Sequence, residues 1–283
     1  MERRNYGKNG DRLSVIGFGA IVVMDETQPV ADRFVAEAID AGVDYFDVAP
    51  SYGNAQDQLG PALQPYRNGV FLACKTEQRD GPAARTALEA ALKVMRTDRF
   101  DLYQFHAVNT DEDVDRILAP GGALETFVKA KAEGLVRHLG FSAHSEKAAV
   151  RLFEAFPFDS VLFPVNFASM LHGVFGPRIF EAAASRGASC LALKAMARSM
   201  WPEGAERDFK KCWYEPLKDD HLAGLALRYA LSQPIAAALP PGDIRAFRQA
   251  VQAVKDGVKP LDASEMAELK ALSGQVKPLF PLG

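Results

Sequence analysis

Residues 70–106 read VFLACKTEQRDGPAARTALEAALKVMRTDRFDLYQFH and contain one complete strand–helix–strand unit. The near-continuous aliphatic and β-branched stretches at 70–75 and 102–106 predict two strands that are buried on both faces, as in parallel sheets. Between them, residues 82–95 predict a helix that opens with Pro82, where the missing N–H group does no harm. The stretch therefore predicts two parallel strands joined by a crossover helix.

The same alternation extends over the rest of the chain. It starts with a predicted hairpin, in which Tyr6 and Leu13 flank the turn dipeptide Asn9-Gly10. Further strands are predicted at 15–19, 43–47, 138–142, 160–166, 189–194 and 235–239, and further helices at 29–41, 121–133, 145–155, 176–186, 219–232, 243–255 and 263–273. Such units allow a closed barrel or an open doubly wound sheet. Eight of them in 283 residues favour the barrel.

We therefore expect an α/β fold, a (β/α)8 TIM barrel with an N-terminal β-hairpin and a C-terminal extra helix, forming a single domain over 1–283. The chain is 48% hydrophobic and 24% charged with a net charge of -3, so we expect no nucleic-acid surface, which would need a concentrated basic face. The longest apolar runs, such as 235–239, are far too short to span a bilayer. The N-terminus lacks the apolar stretch of a secretory signal. We therefore expect no membrane partner.

The cysteines indicate a reducing environment. Cys74, Cys190 and Cys212 are an odd number at wide spacing, without a Cys-x-x-Cys pair. This pattern argues against a disulfide framework, a zinc site or an iron–sulfur cluster. The expectation is a cytoplasmic protein with reduced thiols and no metal. The sequence carries no signal for an oligomeric state.

Ionisable side chains end three adjacent predicted strands. Asp47 ends the second barrel strand, Lys75 the third and His106 the fourth, and Tyr52 follows five residues after Asp47. Each of these residues alone has an ordinary explanation as a cap, a loop residue or a solvated side chain. In a TIM barrel, however, the C-terminal ends of the strands carry the catalytic groups. The four residues together therefore predict an active site.

The chemistry of these residues points to proton donation. A phenol has an ordinary pKa near 10, but the Lys75 ammonium would favour the phenolate and the Asp47 carboxylate would hold that ammonium. Tyr52 can then protonate an oxygen on which negative charge builds, while His106 orients the same oxygen. Reduction of a carbonyl also needs a hydride, which no side chain supplies, so a cofactor must provide it.

This pattern resembles the aldo-keto reductase family, over nearly the whole chain. Residues 47–53, Asp-Val-Ala-Pro-Ser-Tyr-Gly, resemble the family's Asp-Thr-Ala-x-x-Tyr-Gly signature, with Val48 in place of Thr. Lys75 in Leu-Ala-Cys-Lys-Thr and His106 in Asp-Leu-Tyr-Gln-Phe-His match in spacing and order. The resemblance implies NAD(P)H-dependent reduction of an aldehyde or ketone to an alcohol, with Tyr52 as the general acid. The catalytic residues it implies are Tyr52, Lys75, Asp47 and His106.

The resemblance is weaker on the cofactor side. Ser142-Ala143 stands where the family usually has Ser-Asn gripping the nicotinamide carboxamide, and Leu162 replaces a common Gln. His144 can replace the missing amide or can be a solvated loop residue. The cofactor-binding residues implied by the resemblance are Gly19, Ala20, Asp47, Ser142, Ala143, Asn166, Lys194, Pro241, Gly242 and Asp243.

The segment after the last strand bears on the choice of cofactor. Residues 239–242, Leu-Pro-Pro-Gly, fit the family's phosphate-binding turn, whose backbone N–H groups can hold a pyrophosphate. Asp243 stands where a basic residue often binds a 2′-phosphate and would repel that group, although Arg245 or Arg248 can compensate from the next turn. The resemblance implies NADPH, and NADH remains possible.

Two other functions stay open. A lysine at a strand end, Lys75 or Lys194, can form a Schiff base with a carbonyl substrate, which would make the protein a lyase. A nicotinamide-binding sensor or regulatory protein with little turnover would fit the altered cofactor contacts. The substrate is expected to be a small-molecule carbonyl compound. The sequence does not identify it, because barrel specificity lies in loops, here near 24–28, 107–120 and 197–218.

Overall fold

An N-terminal hairpin covers one end of the fold. The structure is a computed structural model that describes residues 1–8, 10–172 and 175–280. Strand β1 (Arg3–Tyr6) pairs antiparallel with β2 (Asp11–Ser14), which confirms the predicted hairpin, although Asn9 of its turn lies outside the described residues. The Tyr6 hydroxyl donates to Ser160 Oγ at 2.8 Å, at the start of a barrel strand. The hairpin therefore covers the N-terminal ends of the barrel strands.

Eight parallel strands form the barrel in the described part of the chain, as predicted. They are β3 (Phe18–Gly19), β4 (Tyr45–Asp47), β5 (Phe71–Thr76), β6 (Phe100–Phe105), β7 (Val136–Ser142), β8 (Ser160–Pro164), β9 (Ser189–Leu193) and β12 (Ala237–Leu239). The strands pair in this order. A parallel bridge between Ile16 and Ala238 joins the two ends of the sheet, where the Gly17 amide donates to the Ala238 carbonyl at 3.0 Å. The bridge closes the barrel.

Helices surround the barrel and connect its strands. They are α1 (Gln28–Asp40), α2 (Ala55–Leu63), α3 (Gly81–Val94), α4 (Asp111–Leu118), α5 (Ala123–Ala132), α6 (Glu146–Ala155), α7 (Phe167–Leu171), α8 (Pro177–Arg186), α9 (Asp220–Leu231), α10 (Ile244–Ala253) and α11 (Ala263–Ser273). Helix α11 follows the helix of the last barrel unit, which confirms the extra C-terminal helix. Over the described ranges, every helix is too short or too polar to cross a membrane.

Three helices lie in segments for which the sequence predicted none. Helix α2 contains Gly60 and Pro61, which normally break a helix. A Cβ atom at Gly60 would lie 2.7 Å from the Val94 carbonyl oxygen, so glycine allows α2 to pack tightly against the end of α3. Helix α4 begins with a capping box between Thr110 and Asp113, and the short helix α7 is the third. Tertiary packing and local capping therefore outweigh the loop-like composition.

A two-stranded ribbon follows β9. Strand β10 (Ala197–Met200) pairs antiparallel with β11 (Tyr214–Pro216), so the loop predicted near 197–218 is partly ordered as a sheet. The residues just before and at the start of β11 face the C-terminal end of the barrel. This ribbon therefore contributes one wall of the region where the predicted catalytic residues lie.

The barrel is filled with side chains rather than open as a pore. Tyr45, Leu102, Leu162 and Leu191 belong to one buried apolar cluster contributed by barrel strands, as expected for a TIM barrel core. A larger cluster fills the layer between strands and helices. Asp47 at the end of β4 and Lys75 near the end of β5 therefore lie above this apolar core, at the C-terminal end of the barrel, where the loops connect strands to helices.

Candidate active site

Asp47, Lys75 and Tyr52 form one hydrogen-bonded group at the C-terminal end of the barrel. Asp47 is the last residue of β4, Lys75 is the penultimate residue of β5, and Tyr52 lies in the loop before α2. The Lys75 ammonium donates to Asp47 Oδ1 and to the Tyr52 hydroxyl oxygen at 3.3 Å. It also lies 5.0 Å from the centre of the Tyr52 ring. The structure thus brings together three of the four predicted catalytic residues.

The Asp47–Lys75 pair is buried and held by further donors. The two side chains are 2% and 1% exposed. The Tyr45 hydroxyl donates to Asp47 Oδ2 at 3.3 Å, and Gln104 Nε2 donates to the same oxygen at 3.2 Å. Burial opposes the charge on Lys75, but Asp47 and Tyr52 outweigh it, so that the pKa of Lys75 is raised. Lys75 therefore remains an ammonium ion, and Asp47 is locked in place beside it.

Tyr45 and Gln104 both donate hydrogen bonds to Asp47, and the sequence did not reveal either contact. Both side chains are buried, and both point at the carboxylate that anchors Lys75. Their positions inside strands β4 and β6 look like ordinary core positions. A polar residue in the middle of an otherwise apolar strand, such as Gln104 in Phe-Asp-Leu-Tyr-Gln-Phe, is the one signal that could have suggested a buried partner.

Tyr52 keeps its proton at neutral pH. Burial raises the pKa of its phenol, and the Lys75 ammonium lowers it only in part, so that the net pKa lies above the ordinary value. The effect of Lys75 expected from the sequence is present but smaller than the effect of burial. Tyr52 is therefore a protonated hydrogen-bond donor beside a permanent positive charge.

His106 completes the group from the loop after β6. Its ring is perpendicular to the Tyr52 ring, with centroids 5.7 Å apart, and its Nδ1 lies 3.2 Å from the Ser51 hydroxyl oxygen. Burial lowers the pKa of His106 to about 3, and the charge of Lys75 adds to this effect. His106 is therefore a neutral imidazole, which can offer a hydrogen bond but adds no charge.

These four residues line one cavity of about 340 Å³. Of the predicted cofactor-binding residues, Gly19, Ser142, Lys194 and Gly242 also line it, together with Asp47. Others are absent from the lining formed by the described residues, namely Ala20, Ala143, Asn166, Pro241 and Asp243. The cavity therefore joins the predicted catalytic group to part of the predicted cofactor site. Within the described ranges, no cluster of His, Cys, Asp and Glu is arranged to hold a metal ion.

Asn166 is placed to shape the backbone. Its Oδ1 accepts hydrogen bonds from the amides of Ala168 and Ser169, which caps α7. Its Nδ2 donates to the carbonyl oxygens of Lys194 and Ala197 at 3.0 and 2.7 Å. With four such bonds, the Asn166 amide supports the loop after β9, and any contact with a cofactor would have to replace one of them.

The turn after β12 leads directly into α10. Pro240 and Gly242 line the cavity, whereas Asp243 is the N-cap of α10 and accepts from the Arg245 amide at 2.9 Å. The Arg245 guanidinium donates to the same carboxylate at 2.9 and 2.8 Å. Arg248 forms two hydrogen bonds to Glu37 at 2.6 and 2.8 Å. Both arginines that could hold a 2′-phosphate are therefore already paired with carboxylates.

Lys194 and His144 form a second polar group in the same cavity. Lys194 Nζ lies 3.0 Å from His144 Nε2, and burial lowers the pKa of Lys194 to about 7, with a further contribution from Lys75. Burial and the charge of Lys194 lower the pKa of His144 to about 3. Trp213 and Phe280 place their ring centres 5.4 and 5.3 Å from Lys194 Nζ. The sequence gives no local signal for this cluster, because its members come from four separate segments.

Comparison with known proteins identifies the class. The profile of the aldo/keto reductase family matches residues 15–273, which is nearly all of the barrel. The chain belongs to the aldo/keto reductase family. The resemblance inferred from the Asp47, Tyr52, Lys75 and His106 motifs is thereby confirmed at the level of the family.

Individual relatives are more distant. The uncharacterized oxidoreductase YqkF of Bacillus subtilis is 29% identical over 157 residues, which cover 50% of this chain and 49% of that protein. L-galactose dehydrogenase of Arabidopsis thaliana is 27% identical over 157 residues, covering 50% of this chain and 48% of that protein. The matches thus span about half the length of these curated relatives. The aldo-keto reductase AKR11C1 of Bacillus halodurans, in its holo form, superposes with a TM-score of 0.73 at 22% identity, covering 96% of each chain, which shows the shared fold.

Proposed function

We propose that the protein reduces an aldehyde or ketone to an alcohol with a nicotinamide cofactor, and that Tyr52 is the general acid. The observation that carries this proposal is the Lys75 ammonium, which contacts both Asp47 and the Tyr52 hydroxyl, 3.3 Å away, in a cavity that His106 also lines. Membership of the aldo/keto reductase family supports the same class of reaction.

Several residues of the cavity wall fit a nicotinamide cofactor. At Gly19 no atom lies within 4 Å of where a Cβ would be, so there is open space beside this residue for part of a cofactor. The Ser142 hydroxyl oxygen accepts from the Ala107 amide at 2.8 Å and retains its own proton to donate to a carboxamide. Pro240 and Gly242 border the same cavity at the start of α10, where backbone N–H groups favour phosphate. When bound, the cofactor supplies a hydride to the carbonyl carbon.

The chain's own residues supply the proton and the electrostatic support. Tyr52 donates its phenolic proton to the carbonyl oxygen as the C=O π electrons move onto that oxygen. Lys75 stabilises the phenolate that Tyr52 becomes, and Asp47 keeps Lys75 in place. His106, being neutral, donates a hydrogen bond to the same oxygen. Hydride on carbon and proton on oxygen together yield the alcohol and the oxidised cofactor.

Ser142 and Asn166 each form a hydrogen bond with the backbone of a strained residue beside this site. Ala107, directly after His106, has φ +52°, and Lys194 has φ +64°, a left-handed conformation that costs energy for residues other than glycine. The Ala107 amide is held by Ser142, and the Lys194 carbonyl by Asn166. We propose that Ser142 and Asn166 keep these strained loops in the shape that the site requires.

The charges near the turn after β12 favour NADH over NADPH, contrary to the NADPH that the resemblance implies. By the resemblance, a 2′-phosphate would lie near the Asp243 carboxylate, and the two arginines that could bind it are already paired, Arg245 with Asp243 and Arg248 with Glu37. Both arginine side chains are 52% exposed, and exposed pairs of this kind contribute at most about 1 kcal/mol. The expected preference is therefore modest, about fivefold.

The two alternative functions make different demands on the site. A Schiff base needs a neutral amine, and Lys75, with its raised pKa and its Asp47 partner, is held as an ammonium. The Lys194 amine has a pKa of about 7 and could react, but Tyr52 and His106 would then have no role. Borohydride trapping of an adduct on Lys194 would support that lyase. A sensor would bind NADH or NADPH tightly and turn over no aldehyde.

The experiment compares Tyr52→Phe with Tyr214→Phe. Both tyrosines line the cavity, but of these two only Tyr52 contacts Lys75 among the described residues. Oxidation of NADH and NADPH is followed with a panel of aldehydes and ketones, and cofactor binding by fluorescence. We expect Tyr52→Phe to lower kcat by about 100- to 10,000-fold with cofactor binding intact, and Tyr214→Phe to retain most activity. Full turnover of Tyr52→Phe would refute the proposal.

A further inference from the structure

The cavity contains one lysine whose charge no described carboxylate balances. Lys75 is paired with Asp47, and Lys211 is paired with Glu26 at 2.7 Å. Lys194, by contrast, forms no salt bridge within the part of the chain that the structure describes, and its hydrogen-bond partner is the neutral imidazole of His144. Its side chain is nevertheless buried, and the whole residue is 8% exposed. A buried cation of this kind needs an anion to offset the loss of hydration.

Aromatic rings hold the Lys194 amine in the cavity. The His144 ring, which bonds to the amine, stacks on Phe280 with centroids 4.9 Å apart and planes 16° from parallel. Trp213, which is 46% exposed, lies with its ring centre 5.4 Å from Lys194 Nζ. These cation–π contacts and the His144 nitrogen fix the position of the charge. They do not neutralise it.

The Lys194 amine points away from the turn proposed for phosphate. Lys194 follows β9, which lies between β8 and β12 in the sheet. Its amine reaches across β8 to His144, which follows β7. Gly242 follows β12, on the opposite side of β9. The positive charge therefore lies on the β7 side of the cavity, away from the phosphate turn and on the same side as Ser142, the residue proposed to bind the nicotinamide carboxamide.

We propose that Lys194, positioned by His144, binds an acid group of the substrate, so that the preferred substrates are aldehydes or ketones that carry a carboxylate on an apolar body. This inference rests on the proposed reductase function and specifies its substrate class. Met24, Trp213 and Tyr214 give the same cavity apolar and aromatic surface, which suits the body of such a molecule. The charge of the acid group would complete the ion pair that Lys194 lacks among the described residues.

The proposal carries a pH dependence that can be assigned to Lys194. The titratable groups that face it are His144 after β7, and Lys75 and His106 at the ends of β5 and β6. The two histidines, with pKa values of about 3, stay neutral, and the raised pKa of Lys75 keeps it charged. Only the Lys194 pKa, about 7 in the absence of an anion, falls in the neutral range. Anion binding should therefore weaken about tenfold per pH unit above that value.

The test uses two matched aldehydes, para-carboxybenzaldehyde and its methyl ester. The two molecules differ in charge and have a similar shape, and each variant is compared with the unaltered protein on the same molecule, so that the difference in carbonyl reactivity between acid and ester cancels. In the unaltered protein, we expect the acid to have the lower KM. In Lys194→Met, which keeps an unbranched side chain of similar length, the KM of the acid should rise about 10- to 100-fold. The kcat values and the KM of the ester should stay within a few-fold. Retained turnover of the ester also shows that the variant is folded.

A binding measurement separates this proposal from the reductase function. Tryptophan fluorescence, to which Trp213 contributes, is titrated with benzoate and with neutral benzamide at about pH 6 and about pH 9, on either side of the Lys194 pKa. We expect benzoate to bind more tightly than benzamide at the lower pH only, and Lys194→Met to abolish the difference. If neither aldehyde is reduced but benzoate behaves in this way, the anion site stands and the reductase function fails.

The control is Lys211→Met, which removes a cavity lysine that already has a carboxylate partner. The ratio of acid to ester KM should change little in this variant. Three results would overturn the proposal: an equal loss of acid preference in Lys211→Met, an unchanged preference in Lys194→Met, or a rise in the KM of NADH and NADPH in Lys194→Met with the acid-to-ester ratio intact. The last result would assign the Lys194 amine to the cofactor.

Discussion

Replacing Asp47 by Asn removes the negative charge that balances the buried Lys75 ammonium. Both side chains are at most 2% exposed, so water cannot compensate for the loss. The asparagine amide group would also face the Tyr45 hydroxyl or the Gln104 amide, which are both donors to Asp47. Breaking a buried ion pair from one side typically costs about 3–5 kcal/mol. We expect the free energy of unfolding to fall by about 3 kcal/mol, the lower end of that range, because the asparagine oxygen still accepts one bond.

The assay is a double-mutant cycle measured by chemical denaturation at neutral pH. The pKa of Lys75 is raised in the folded protein. The ion pair therefore contributes fully to stability below about pH 10, the ordinary pKa of lysine, and this contribution is lost as the pH rises through the raised pKa of Lys75. Asp47→Asn and Lys75→Met each leave one buried charge without its partner, whereas the double variant removes both charges. The double variant should therefore be more stable than the sum of the single changes predicts, by about 2 kcal/mol. Additive effects, within about 0.5 kcal/mol, would refute the ion-pair account.

Three further predictions concern the cofactor, the fold and the charge state of His106. Asp243→Asn removes the charge beside the phosphate turn and releases Arg245, so affinity for NADPH relative to NADH should rise about fivefold; an unchanged ratio of dissociation constants would contradict this. Gly60→Ala should lower the free energy of unfolding by about 1–3 kcal/mol, because the new Cβ would lie 2.7 Å from the Val94 carbonyl oxygen. Alanine favours helices, so a stabilised variant would exclude that clash. Because the pKa of His106 is about 3, kcat/KM for the uncharged methyl ester should show no histidine inflection between about pH 5 and 8, and an inflection that His106→Asn abolishes would contradict a neutral imidazole.

The barrel could be predicted because its strands are buried on both faces. Continuous apolar runs separated by amphipathic helices leave few other ways to bury the chain, and the eight predicted strands match those observed in the described residues. Helix α2 escaped prediction because Gly60 and Pro61 look like helix breakers, and the reason for Gly60 is its contact with a segment more than 30 residues away. Helix α4 could have been found, since Thr110 and Asp113 form a capping box with the spacing that the pattern requires.

The predicted catalytic residues could be placed together for a similar reason. Once the strands are placed, parallel geometry brings Asp47, Lys75 and His106 to the same rim, and no side-chain packing has to be known. The Lys194–His144 contact depends instead on how far one loop reaches across β8. Phe280 and Trp213 join it from segments whose sequences show no periodic pattern that would bring them together. Such contacts are set by the packing of irregular loops, which no local rule describes.

The distribution of charge divides the cavity into two halves with different tasks. Around Tyr52 the charges of Asp47 and Lys75 cancel, and His106 is neutral, so this half can stabilise charge that develops during reaction without attracting anions beforehand. Around Lys194 no described carboxylate cancels the charge, so that half can attract an anion before any reaction. An acid group drawn to Lys194 would leave the carbonyl end of the molecule available to Tyr52. Asp47→Asn would remove this division at pH values where Lys75 keeps its proton, because Lys75 would then be a second cation without a carboxylate and would compete with Lys194 for the acid group. In Asp47→Asn, the KM of the acid should therefore stay lower than the KM of its ester. The kcat for the acid should fall, because the acid group would also bind beside Tyr52, where the carbonyl must lie.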